Sequence, residues 1–205
     1  MASTFKQKLL EQGMVMLLRH GYHALGIATL LDATGIPKGS FYHHFGSKEE
    51  FGLQVIDLYM REVHAGLDQC LGDESLRPLA RVRRFFELSE QKYRGDGYLG
   101  CLLGGLGQEL SGISDTFRSK VEWCFTEIAR RIAGCIDEAI REGDLPAGTK
   151  AEAMAELLIN CWEGAALRSR LRRDPAPLLE MLDFYFHSTS FSGVNHMVPD
   201  IVEKN

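Results

Sequence analysis

The densest group of side chains capable of chemistry lies between Pro37 and Lys48, where Lys38, Ser40, Tyr42, His43 and Lys48 are interleaved with glycine and aromatic residues. Ammonium, hydroxyl and imidazole groups suit phosphate oxygens and base edges of double-stranded DNA. Gly39 among them would let the backbone approach a sugar-phosphate chain closely, and His44 could join the same face. The second candidate chemistry is that of a thiol. Cys101 follows a glycine-rich break, so a helix N-terminus could lie beside it, and Arg94, Arg168 or Arg170 could bring positive charge. A cation or a helix N-terminus is what favours the reactive thiolate.

The remaining cysteines, Cys70, Cys124, Cys135 and Cys161, are scattered and form no CxxC pair. An odd number at such spacing excludes a disulfide framework and a zinc site, and these four read as small core hydrophobes. No metal or cofactor is expected. The alternative to a binding protein is a helical enzyme with Cys101 as nucleophile and His64 or His187 as base. No spacing places either histidine beside Cys101, and no acidic pair appears, so no catalytic residue is assigned. The glycines of 100–107 follow no predicted strand and lack a Gly-Lys-Ser/Thr ending, which excludes a phosphate loop. Phe85, Tyr98, Trp123, Phe125 and Trp162 are the aromatic candidates for lining a ligand pocket.

The elements that must position these groups are helices. Phe5, Leu9, Leu10, Met14 and Leu17 share one face of a first helix that starts after Thr4 and stops near Gly21. A short helix over 27–34 ends at Gly35, which can supply a left-handed turn, and Pro37 opens a third over 38–45. Ser47 and Glu50 form a capping box for a long fourth helix to about Cys70, striped by Phe51, Val55, Leu58, Tyr59 and Val63. Further helices are expected over 76–93, 100–110 and 115–141, then from a second capping box at Thr149 and Glu152 to about Arg173, then from Asp174-Pro175 to about Ser188. The pattern predicts an all-α chain of about nine helices, with a loose tail over 192–205.

Net charge is −5, which alone argues against nucleic acid, but it is unevenly spread. Over 1–48, Lys6, Lys8, Arg19, Lys38 and Lys48 face only Glu11 and Asp32, giving +3 and leaving −8 on the remainder. A basic head on an acidic body fits a DNA-binding unit joined to one that does not touch DNA. No run of eighteen apolar residues appears, so no membrane span is expected. The opening Met1-Ala2-Ser3-Thr4-Phe5-Lys6 has no apolar h-region, which predicts no secretion signal and a cytoplasmic location.

The stretch from Leu25 to Lys48 reads as two short helices joined by a glycine turn, the geometry of a helix-turn-helix whose second helix enters the major groove. Gly35-Ile36-Pro37-Lys38-Gly39-Ser40-Phe41-Tyr42-His43-His44-Phe45-Gly46-Ser47-Lys48-Glu49 resembles the signature of the TetR family, in which a recognition helix ends in Tyr-x-x-Phe and is followed by Ser-Lys-Glu. Gly26 departs from it, standing where the family usually has a capping Thr or Ser. The resemblance implies a DNA-binding domain over 1–48 and a helical ligand-sensing and dimerisation domain over 49–191. It implies a homodimer built from the last two long helices, palindromic operator DNA and a small-molecule effector that releases it. Ala153, Ala155, Gly164, Ala165 and Ala166 would allow close approach at that interface, while Leu157, Leu158, Leu178, Leu179, Leu182 and Phe184 would supply apolar area. The fourth helix, running from the DNA contact Lys48 into the body, is the expected moving part. Gly100-Cys101-Leu102 with Pro37–His43 is similar to the NemR and AcuR branch, whose members are linked to reactive electrophiles or small unsaturated acids. That makes Cys101 the candidate sensor, with Tyr98, Trp123, Trp162 and Arg170 as candidate companions. The branch can place a lysine near Arg170, and arginine keeps that charge without the lysine's reactivity.

Overall fold

The computed structural model describes residues 2–190, with side chains over 5–187. The expected tail over 192–205 lies outside the described residues. Nine helices and no strand are found among them: α1 (Ala2–Ala24), α2 (Ile27–Thr34), α3 (Lys38–His44), α4 (Lys48–Leu71), α5 (Pro78–Gly95), α6 (Leu102–Leu110), α7 (Asp115–Arg141), α8 (Ala151–Arg172) and α9 (Ala176–Ser190). Among the described residues no helix is long and apolar enough to cross a membrane.

The head is built on three phenylalanines. Phe41 of α3, Phe45 just after it and Phe51 of α4 are fully enclosed, with ring centroids 4.9–5.4 Å apart. Leu9, Leu10 and Leu17 of α1 and Leu30 of α2 join the same core. Gly35 adopts φ 66°, and its N–H closes onto the Asp32 carbonyl, so α2 ends in the left-handed turn that its glycine predicts. Gly26 caps α2 with no side-chain bond, as its departure from Thr or Ser implies. At the start of α4 the Ser47 hydroxyl accepts the Glu50 N–H at 3.0 Å. The reciprocal bond is displaced by one residue: the Glu50 carboxylate accepts the Gly46 N–H at 2.9 Å rather than that of Ser47. Helix α1 begins at Ala2, earlier than expected, and Gly21, at φ 80° and ψ 175°, breaks its geometry.

The body packs α4 against α5 and α7, α7 against α8, and α8 against α9, with α6 wedged between α1 and α7. Its buried ladder runs through Leu102, Leu103, Leu106 and Leu110 of α6 and Phe117, Val121, Ile128, Ile132 and Ile136 of α7. Arg81, almost fully buried, is held by Glu138 at 3.0 Å and by the Leu76 carbonyl at 2.8 Å, while Arg77 pairs with Asp144. Asp174 caps α9 through the Ala176 N–H at 2.7 Å. The capping box expected at Thr149 and Glu152 does not form. Thr149 is drawn into a turn through its N–H to the Pro146 carbonyl, and Lys150 takes the N-cap position with no side-chain bond.

These two helix starts therefore respond differently to the same substitution. Ser47→Ala is expected to cost about 1 kcal/mol in urea unfolding, the usual worth of a bonded N-cap. Thr149→Ala is expected to leave the midpoint within about 0.5 kcal/mol of the parent, as at a surface site without special contacts. Equal losses at both would show that Thr149 caps α8 after all.

Candidate functional site

Helix α3 is amphipathic in a way that leaves one face outward. Its inward anchors are Phe41 and, beyond its end, Phe45. Lys38, Gly39, Tyr42 and His43 are exposed, and Ser40 and His44 are half-buried. Tyr42 has 56% of its surface open. A side chain at Gly39 would meet nothing within 4 Å, so the glycine leaves the outer face open to a docking backbone. Lys48, first residue of α4, is half-buried with its ammonium 4.5 Å from the centre of the Tyr22 ring. Burial lowers its pKa and the Glu109 carboxylate partly offsets that. The structure thus brings Lys38, Gly39, Ser40, Tyr42, His43 and Lys48 into one region. The unpaired N–H groups at the start of α4 lie there too, where an anion is favoured.

The second site is a cavity of about 590 Å³ enclosed by α1, α4, α5, α6, α7 and α8. Of the aromatic candidates, Phe85, Phe125 and Trp162 line it. Trp162 packs on Phe86 and Tyr93 with centroids 4.8 and 5.7 Å apart. Tyr98 and Trp123 do not belong to it. Tyr98 sits in the α5–α6 turn at φ 60°, and Trp123 is 51% exposed on the outer face of α7 beneath Lys120. Arg170 is also outside: it lies beyond Cys101 in a separate polar recess with Arg19, His20 and Gln108, its guanidinium 3.4 Å from the Leu18 carbonyl.

Cys101 lines both spaces and is the N-cap of α6, so a helix N-terminus does adjoin it, although its sulfur makes no cap bond. Arg170 borders the same recess as Cys101, but a carboxyl supplies the charge that acts on the thiol. Its neighbours are the Tyr59 hydroxyl, 3.6 Å from Sγ, and the carboxyl of Glu163. Burial, then the Glu163 charge, push the thiol well above its ordinary range, so Cys101 rests protonated. Burial likewise raises Glu163 to about 7, with the Cys101 bond acting against it. Tyr59 and Tyr93, also pushed well up by burial and then by Cys101, remain neutral phenols.

Sequence reasoning missed Glu163, Tyr59 and Tyr93, which converge from α8, α4 and α5, and it missed Glu109. Glu109, near the far end of α6, accepts the Tyr22 and His23 N–H groups at 2.7 and 2.6 Å, where Gly21 breaks α1. Burial works to raise its pKa, and the bonds from His23 and Tyr22 outweigh it, so Glu109 stays an anion. Among the described residues no cluster of three metal-ligating side chains occurs.

Residues 9–55 match the family described as bacterial regulatory proteins, tetR family, and residues 78–184 match the tetracyclin repressor-like C-terminal domain. The chain is 40% identical over 178 residues to the transcriptional regulator AcuR of Cereibacter sphaeroides, spanning 86% of this chain and 81% of that one. It is 27% identical over 178 residues to the transcriptional repressor NemR of Escherichia coli K12, spanning 84% and 87%. The crystal structure of a TetR regulatory protein from Rhodobacter sphaeroides superposes with a TM-score of 0.84 at 38% identity, covering 88% of this chain and 96% of that one. Two matched regions, the nine-helix order and the outward α3 agree: the chain belongs to the TetR family of transcriptional regulators and is not an enzyme.

Proposed function

We propose that this regulator is a cytoplasmic repressor that binds a palindromic operator as a homodimer through the outer face of α3 and leaves it when the body cavity is occupied or Cys101 is modified. Residues 1–48 form the DNA-binding unit and 49–191 the sensing and dimerising unit. The observation that carries the reading is the anchoring of α3: Phe41 and Phe45 are fixed in the core while Lys38, Tyr42 and His43 point to solvent. Such a helix presents base-reading groups on a rigid support. Lys48 and the start of α4 then supply a phosphate contact on the flank.

The dimer rests on α8 and α9. Ala153, Leu157, Asn160, Gly164, Leu167 and Leu171 are all exposed and recur at alternating spacings of four and three, a seam that fits a second helix. A side chain at Gly164 would meet nothing within the protomer. On α9, Leu179 and Phe184 are exposed, Phe184 by 77%. Six of the eleven residues expected here serve the protomer's own core instead: Ala155, Leu158, Ala165, Ala166, Leu178 and Leu182 are buried. Two copies joined this way would offer their α3 helices to half-sites roughly 34–36 Å apart, or a multiple of that.

Release requires an effector that favours the DNA-incompetent arrangement. Helix α6 is suited to transmit it. Cys101 at its start lines the cavity, and Glu109 near its end holds the broken end of α1. The Ser114 hydroxyl adds a bond to Glu49 at 2.8 Å, tying the start of α7 to the start of α4. The expected moving part, α4, is therefore tied at its DNA end to the cap of α7, beside the end of α1 that α6 holds.

Three measurements test this reading. In anisotropy titrations with DNA from upstream of its own gene, Lys48→Ala should weaken binding to all sequences alike and lower the salt slope by about one. Tyr42→Ala should cost about 1–3 kcal/mol on operator DNA and much less elsewhere. Unchanged affinity in both would mean that a different face docks. Leu157→Glu combined with Phe184→Glu should give monomers in sedimentation equilibrium, whereas a persistent dimer would place the interface elsewhere. Cys101→Ser should abolish release by electrophiles and leave operator affinity intact. A retained response would assign sensing to another cysteine or to reversible occupation of the cavity.

A further inference from the structure

The cavity contains a carboxyl that neither the fold nor the DNA-binding reading requires. Glu163 lies on α8, partly buried, with no lysine, arginine or histidine forming an ion pair to it among the described residues. Its side chain packs over Gly104 so closely that a Cβ at that glycine would overlap Oε2, and the Cβ of Cys101 lies 3.9 Å from the same point. The rest of the wall is largely aromatic and aliphatic, with Trp162, Phe85 and Phe125, and its other charged groups are Arg19, Asp96 and the Lys92–Glu62 pair at 2.6 Å. A buried carboxyl without a cation is costly, and a leucine or glutamine would pack here at less expense.

A cysteine becomes a nucleophile in one of two ways: a nearby positive charge stabilises the thiolate, or an adjacent base takes the proton as the bond forms. The charge that acts on the Cys101 thiol is that of Glu163, which opposes a thiolate, so the first route is disfavoured. The second needs a base beside the thiol that changes protonation near neutral pH, and Glu163, which shares the Gly104 surface with Cys101, is the group so placed. The same carboxyl governs what can enter. An anionic molecule approaching Sγ would meet Glu163 across a few ångströms of low-dielectric wall, whereas an uncharged one would not.

We propose that Glu163 is the proton acceptor for Cys101 and that the cavity in consequence takes small uncharged carbon electrophiles in preference to anionic ones. This rests on the reading that Cys101 is the sensing thiol. With a conjugated carbonyl compound, the sulfur lone pair forms the S–C bond at the β-carbon as the thiol proton passes to the Glu163 carboxylate. The electron pair of the carbon–carbon double bond moves toward the α-carbon, which then takes the proton back from Glu163. Thiol and alkene add across one another, and no further reactant is consumed. With a haloacetyl compound, the C–I bond breaks instead, iodide leaves with its electron pair, and the proton passes from Glu163 to solvent. A cavity of about 590 Å³ suits a molecule of this size.

The test is alkylation of the full-length native protein by iodoacetamide and by iodoacetate, an uncharged and an anionic reagent of nearly equal size. Adduct formation at Cys101 is followed by mass spectrometry, with rates divided by those of a free thiol. Glu163→Gln should slow iodoacetamide by about 100-fold, the low end of what a positioned base contributes. It should also narrow the neutral-over-anionic preference by at least about tenfold, because the like charge is gone. A rate that rises in Glu163→Gln would overturn the proposal, since it would mean that the carboxylate only suppresses the thiolate. Equal rates and an equal preference in both proteins would overturn it too, while leaving Cys101 as the sensor. Failure of both reagents to modify Cys101 in the native parent, when the unfolded chain reacts, would overturn the underlying reading itself. If Glu163→Gln lost its fold by circular dichroism, Gly104→Ala displaces the carboxylate without removing it. The same two changes there would support the proposal, and parent-like rates and preference would overturn it.

Discussion

Two backbone N–H groups at the end of α1, those of Tyr22 and His23, find their partner 86–87 residues further along the chain, in the carboxylate of Glu109. Gly21 makes the arrangement possible: its φ of 80° turns these donors outward, and a side chain there would strike the Glu109 oxygens. Charge-assisted bonds of 2.6–2.7 Å to a fixed anion are stronger than neutral ones. The head is therefore clamped to α6 at one point, and around that point Tyr22 stacks on Phe117 and carries Lys48 over its ring. The orientation of α3 relative to the body depends on this junction, because α1 and α4 are the supports of α3 and both pass through it.

The same helix that ends in the clamp begins in the cavity. Helix α6 after the Cys101 cap is only nine residues long, and Leu102, Leu103, Leu106 and Leu110 seat that rod in the core. A packed rod has discrete seatings and little compliance. A group attached to Sγ or crowding Trp162 would have to be accommodated by α6, and the displaced end would be the one holding α1. Sensing chemistry and DNA geometry then meet in one short element, with the buried carboxyl of Glu163 at one end and the bound carboxylate of Glu109 near the other.

Local features were legible in the sequence because local physics decides them. Gly35 closing α2, Pro37 preceding α3, Ser47 capping α4 and Asp174 capping α9 each involve residues a few positions apart. The same rule misled at Thr149, where an equally good pattern lost to the Pro146 turn and helix α8 started one residue later. On α8 the apolar residues cover two faces, so periodicity could not separate Leu158, which belongs to the core, from Leu157, which faces outward. Convergence was the harder limit. Cys101 was visible as a thiol after a glycine break, but Tyr59, Tyr93 and Glu163 reach it from three other helices. Arg170, expected to supply positive charge, lies two turns further along the same face of α8 as Glu163 and reaches the neighbouring recess rather than the main cavity. Trp123, equally aromatic in sequence, is rotated outward on α7.

The most direct test of the coupling through Glu109 is a pair of operator titrations, each run on untreated protein and on protein alkylated at Cys101 with iodoacetamide, for the parent and for Glu109→Ala. If α6 carries the signal through this clamp, alkylation lowers operator affinity in the parent by about tenfold or more, and the loss largely disappears in Glu109→Ala, whose head is already released. An undiminished loss on alkylation in Glu109→Ala would show that the signal reaches α3 by another route.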